Sequence, residues 1–146
     1  ILRSPIYPDH FADEGRHEVT YSVFPHDGGW SDGGVIDEAI ALNAPLIAGP
    51  GSLDNEWSLL RQSGVPLTLG SLKRAEDNDD LIIRLHEAHG RRGNTAITFA
   101  RPFAGIDAVN LLEETTDGLP QLELDDERTV RFAVRPFQIV TLRVRW

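Results

Sequence analysis

The sequence predicts a mainly β protein, an antiparallel β-sandwich with one short helix. Three observations carry that expectation. Residues 135–146 (RPFQIVTLRVRW) alternate with period two, so Phe137, Ile139, Thr141, Arg143 and Arg145 face one way. Gln138, Val140, Leu142, Val144 and Trp146 face the other, the pattern of a half-buried antiparallel strand. Several further short runs rich in β-branched residues are separated by turn-forming clusters, as in sandwiches. One stretch alone, residues 35–42, carries apolar positions at helical spacing.

The elements follow in order. Residues 1–16 read as an irregular front loop, with Pro5, Pro8, Asp9, Asp13 and Gly15 as turn formers. Residues 18–25 (EVTYSVFP) alternate, with Val19, Tyr21 and Val23 on one face, and predict a strand. Residues 26–34 (HDGGWSDGG) form a glycine-rich loop. The helix follows, capped by Ser31 or Asp32 and stopped by Pro45. Residues 46–64 read as a long connection containing Gly49, Pro50, Gly51 and Ser52. Strands are predicted over 66–74, 81–87, 95–99, 107–112 and 129–134, and then at the end of the chain. Residues 75–80 form an acidic turn between the first two, and residues 90–94 a tight turn. A shift in composition at 77–80 marks a seam between an upstream part and a compact terminal part.

At 146 residues the chain is long enough to bury a core without disulfides or metals. Its mix, 40% hydrophobic and 25% charged, is that of ordinary globular domains. No apolar run is long enough for a transmembrane helix. The net charge of −9 disfavours nucleic acid and anionic membranes as partners. With no cysteine there is no disulfide and no thiolate chemistry, which fits a reducing compartment. The chain opens on Ile1, contains no Met and stops within its last strand. It reads as a segment of a longer protein.

No catalytic residue is expected. His10, Asp13, His17, His26 and Asp27 are loop residues whose spacing matches none of the short metal motifs, so no metal site is expected either. They read as solvated or backbone-bonded side chains. The acidic turn at 76–80 lacks the glycine and the closing glutamate of a calcium loop and reads as solvated, as do residues 125–127. Arg91 and Arg92, between Gly90 and Gly93, suit either an anion site or an exposed hairpin tip. Trp30, Trp57 and Tyr7 are candidate sugar-stacking rings. Trp57, beside Leu59 and Leu60, reads as core, which leaves Trp30 as the better candidate. There is no nucleophile elbow and no phosphate-cradling loop.

An ordered set of motifs spans nearly the whole chain. It consists of LRSPIYPD (2–9), ADEGRH (12–17), TYSVFPH (20–26), ALNAPL (41–46), LKRAED (72–77), LIIRLHEAHG (81–90), NLLE (110–113) and PFQIVTL (136–142). The set resembles the C-terminal β-rich region of bacterial α-mannosidases of glycoside hydrolase family 38. The resemblance implies a larger parent whose N-terminal catalytic domain holds zinc and an aspartate nucleophile, followed by a helical bundle and β-sandwiches. It implies retaining hydrolysis of terminal α-mannosides through a glycosyl-enzyme intermediate. Under it, residues 1–77 are the C-terminal part of a large sandwich and residues 78–146 a small terminal one. None of the zinc or nucleophile motifs is present here, so no cofactor is expected in this chain.

The implied partners are the parent's catalytic and helical domains, an α-mannoside glycan, and possible further copies of the chain paired through an open sheet edge. The implied compartment is the bacterial cytoplasm. The front loop is the candidate to reach the substrate cleft, with Arg16 as sugar contact beside Asp13. The competing reading is an Arg16–Asp13 pair within the loop. The family usually has glutamate where this chain has Gln138, so a local charge is lost there. Two other readings compete with an accessory module: a free-standing carbohydrate-binding sandwich using Trp30 and Tyr7, and a small self-sufficient hydrolase needing two carboxylates about 5–9.5 Å apart.

Overall fold

Alternation with one apolar face makes strands, and two such faces turned inward make a sandwich. The computed structural model describes residues 7–52 and 56–146. Pro5, part of the first motif, and residues 53–55 of the predicted connection lie outside the described residues. Among the described residues, one helix, α1 (Val35–Asn43), precedes eight strands. These are β1 (Leu60–Gly64), β2 (Thr68–Arg74), β3 (Leu81–His86), β4 (Gly93–Phe99), β5 (Gly105–Val109), β6 (Glu123–Leu124), β7 (Thr129–Val134) and β8 (Ile139–Arg145). They form two four-stranded sheets, ordered β1-β4-β7-β6 and β2-β3-β8-β5, and every pairing is antiparallel.

The core lies between the sheets. Ile97, Phe99, Val130, Phe132 and Val134 come from one, and Ile83, Leu85, Ile106, Val140, Leu142 and Val144 from the other. Each fully buried side chain of this size contributes about 1.5–3 kcal/mol relative to exposure. Phe99 meets Phe103 and Trp146 edge-on, at ring-centroid distances of 5.7 and 5.8 Å.

β8 follows the predicted alternation on its inner face, and Ile139 and Arg145 point to solvent. Thr141, on the outer face, is nonetheless buried. The Arg84 side chain spans that face, donating from Nε to Thr141 Oγ1 (3.3 Å) and from Nη2 to the Leu111 carbonyl (3.3 Å). The acidic turn is the tip of the β2–β3 hairpin, where Arg74 faces Leu81, so the pairing runs across residue 77.

Three local expectations are corrected. Residues 18–25 form no strand: Val19, Tyr21 and Val23 are exposed, and among the described residues no ladder pairs with them. Alternation alone does not make a strand when the backbone groups find no partner. The helix has no side-chain cap; Gly34, at φ 76°, occupies the N-cap position. Asp37 and Glu38 in its first turn complement the helix dipole instead. The connection expected over 46–64 contains β1, whose residues are largely exposed because it is an edge strand. Among the described residues no helix is long and apolar enough to cross a membrane.

Candidate functional site

The candidate residues of the front half sit in loops, and the question is what holds those loops. Asp13 lies in the left-handed region (φ 60°), and its carbonyl accepts a hydrogen bond from His17 Nε2 at 2.7 Å. The Asp9 carboxylate accepts the Phe11 N–H at 2.9 Å and so closes the turn before it. Arg16 pairs with Glu18, not with Asp13, and both members of the pair are exposed. The expected intraloop pair is thus replaced by one with the next carboxylate in the chain. Its guanidinium is solvent-facing, and Asp13 remains exposed beside it.

Trp30 is 52% exposed in the glycine-rich loop. That loop is fastened to the sandwich at two adjacent residues. The Ser31 carbonyl accepts from His89 Nδ1 at 2.8 Å, and the Asp32 carboxylate pairs with Arg91 at 3.0 Å. Ser31 and Asp32, expected to cap the helix, therefore serve as anchors. Arg91, one of the two glycine-flanked arginines, is committed to a carboxylate of the chain itself. Trp57 is 68% exposed, which corrects its assignment to the core.

The residue that sets the receiving end of this anchor is Glu87, which sequence reasoning did not single out. It is 1% exposed. Its Oε1 accepts the His89 N–H at 2.8 Å, and its Oε2 accepts those of Gly90 (2.9 Å) and Phe137 (3.0 Å). Burial alone would raise its pKa. The backbone N–H groups of Phe137, His89, Arg91 and Gly90 outweigh that and hold it below the usual glutamate value. One carboxylate thus shapes the β3–β4 turn, aims His89 and ties in the turn before β8. Gln138 completes that second turn, its side-chain oxygen accepting the Arg135 N–H at 2.9 Å. An amide oxygen fills the acceptor role there without a charge.

A second network crosses the outer face of the β2-β3-β8-β5 sheet. Glu113, at φ 69° and nearly buried, receives Lys73 Nζ at 2.8 Å and the Glu76 N–H at 2.8 Å. Lys73 and then the Glu76 N–H hold the Glu113 carboxyl low, while Glu113 and Glu76 raise Lys73. Arg143 pairs with Asp77 and, at 2.7 Å, with Asp80, whose carboxyl it holds low. Lys73 bridges Glu76 and Glu113, and Arg143 bridges Asp77 and Asp80, so each of these side chains has a partner, which marks a structural lock. Among the described residues no three His, Cys, Asp or Glu side chains gather as a metal site.

The chain was compared with known proteins. Residues 66–142 match the glycosyl hydrolases family 38 C-terminal beta sandwich domain. Human Alpha-mannosidase 2C1 is 36% identical over 148 residues, covering 97% of this chain and 14% of its own length. Alpha-mannosidase G of Dictyostelium discoideum is 30% identical over 98% of this chain and 14% of its own. The Alpha-mannosidase of Saccharomyces cerevisiae is 24% identical over 99% of this chain and 15% of its own. No solved structure matches. The chain spans about a seventh of the length of these relatives. On its two antiparallel sheets and this match over 66–142, the chain belongs to the C-terminal beta-sandwich family of glycosyl hydrolases family 38.

Proposed function

We propose that this chain is the non-catalytic C-terminal sandwich of a retaining, zinc-dependent α-mannosidase acting on terminal α-mannosides of glycans or oligosaccharides. The observation that carries the reading is the alignment of 97% of this chain with 14% of a relative named Alpha-mannosidase 2C1. The sandwich supports the catalytic and helical domains of the parent, and zinc belongs to that catalytic domain. The front loop reaches the substrate cleft, where Arg16 contacts a sugar hydroxyl beside Asp13 and Trp30 offers a ring face. Arg16 suits this role because, among the described residues, its ion pair is an exposed one with Glu18, a weak restraint in water. The reading places the parent in the cytoplasm, where a chain without cysteine loses nothing to reduction.

Hydrolysis of an aryl α-mannoside tests it. The chain alone should be inactive with or without zinc, and the full-length parent active with zinc. Turnover by the chain alone overturns the reading. A second reading, a free-standing carbohydrate-binding module, is favoured by the exposure of Tyr7 (82%) and Trp30. Binding of an α-mannoside by the isolated chain that is lost in Trp30→Ala would select it.

A further inference from the structure

The outer face of the β1-β4-β7-β6 sheet carries a groove of about 380 Å³ near its β6 edge. That volume lies within the span of small-molecule pockets, about 300–1,000 Å³. Asn94, Gln121, Glu123, Arg131, Phe132 and Ala133 line it. Register places their side chains. Asn94 faces Ala133, and Arg131 faces Glu123, so all four share the outer surface. Gln121 lies two residues before Glu123 and returns to the same side, while Leu122 between them packs on the core. Phe132 is buried, so its ring belongs to the core and its backbone to the groove. Ala133 leaves the floor low.

The polar groups here differ from those of the Glu113 lock, where each charge has a partner. Asn94, Gln121 and Glu123 are exposed at the groove, and among the described residues no ion pair like those of the Glu113 lock engages Glu123. Arg131 engages Asp125 through Nε, which leaves its terminal nitrogens as donors. Two amides each bring a donor and an acceptor, Glu123 brings acceptors, and Arg131 brings donors. A hydroxyl is donor and acceptor at once, so a ring of hydroxyls satisfies this set, whereas an apolar ligand would strand it. Glu123 and Asp125 flank the single arginine and oppose an anion.

We propose that this groove is a binding site for a neutral polyhydroxylated ligand, a pyranoside. It shares no residue with the front loop and does not depend on the mannosidase reading. With no aromatic platform in the groove, hydrogen bonds alone hold the sugar, and the affinity is millimolar.

The test is titration of the ¹⁵N-labelled 146-residue chain with methyl α-mannopyranoside, methyl α-glucopyranoside and glucuronate, followed by amide chemical shifts. A neutral glycoside should give saturable shifts at Asn94, Gln121, Arg131 and Ala133, including the side-chain amides. The Asn94→Ala/Gln121→Ala variant should bind about tenfold more weakly, as expected for two lost hydrogen bonds. Ala133→Leu, which raises the floor, should abolish binding while the dispersed spectrum reports an intact fold. Absence of saturable shifts in the parent sequence overturns the proposal. So does unchanged binding by either variant, or glucuronate binding as tightly as the neutral glycosides.

Discussion

Glu87 and Phe137 stand 50 residues apart in sequence and are joined by one hydrogen bond, from the Phe137 N–H to Glu87 Oε2 at 3.0 Å. Phe137 has a left-handed backbone (φ 59°), and its ring lies 3.2 Å from where a side chain on Gly90 would begin. The two turns at this end of the sandwich therefore share one acceptor and one steric contact. Replacing Glu87 by alanine leaves three N–H groups without their partner. The expected cost is about 3 kcal/mol or more, since a buried unsatisfied group costs roughly 1–3 kcal/mol. Glu87→Gln should cost less, because one acceptor oxygen remains. Urea unfolding of the two variants beside the parent sequence checks both the size and the order.

Stability should fall on acidification, and the sign follows from the carboxylates. Glu87, Glu113, Asp80 and Asp126 are all held below their ordinary values in the fold. Each contributes stability that is present above its unfolded pKa, about 4, and is lost as pH falls through the lower folded value. Lys73 and Arg143 are raised, so their contribution is present below their unfolded values and is lost only in strong alkali. Melting temperature measured from neutral pH down to pH 2 should drop. Glu87→Gln should show a shallower drop than the parent sequence, and equal slopes would count against the assignment.

Lys73 and Glu113 should behave as a unit. Either alanine substitution removes the partner of the other, so the double variant should be less destabilised than the sum of the singles. Glu113 also carries the left-handed backbone, and Glu113→Asn should be milder than Glu113→Ala for that reason. A double-mutant cycle by chemical denaturation reads both effects.

Arg91→Ala should loosen the glycine-rich loop without weakening the sandwich. The Arg91–Asp32 pair is exposed, and such pairs contribute about 0–1 kcal/mol. Amide hydrogen exchange should speed up at residues 28–34, with the unfolding midpoint nearly unchanged. A large loss of global stability would mean that the loop is part of the core's cooperative unit.

Core and front half should answer differently to truncation. Ile97→Ala, in the fully buried centre, should cost about 2–5 kcal/mol. Val19→Thr, in the exposed stretch, should stay within about 0.5 kcal/mol. Parallel denaturant curves decide this.

How much was legible in the sequence depends on what each element leans on. β3, β7 and β8 declare themselves because buried positions alternate or cluster along them: Ile82, Ile83 and Leu85; Val130, Phe132 and Val134; Val140, Leu142 and Val144. β1 did not, since an edge strand of composition LRQSG shows one half-buried residue and no apolar alternation. Residues 18–25 show the converse failure, a pattern without a pairing partner. Glu87 was silent for another reason: its partners are backbone N–H groups, which every residue type but proline possesses. Only the convergence of residues 89, 90 and 137 in space reveals it. The groove at Asn94 and Arg131 was equally hidden, because its walls come from segments that no local spacing relates.

The placement of β8 bears on how the chain comes to be folded in a cell. Among the described strands, the latest in chain order lies inside its sheet, with β3 on one side and β5 on the other. A nascent chain emerging from the ribosome thus holds β2–β3 and β5 with a gap one strand wide between them. The other sheet has its four described strands as soon as β7 is out. Co-translational folding should therefore run in two unequal stages, an early half-sandwich awaiting a single late insertion. During that interval, the two flanking strands offer open backbone to any other extended segment nearby.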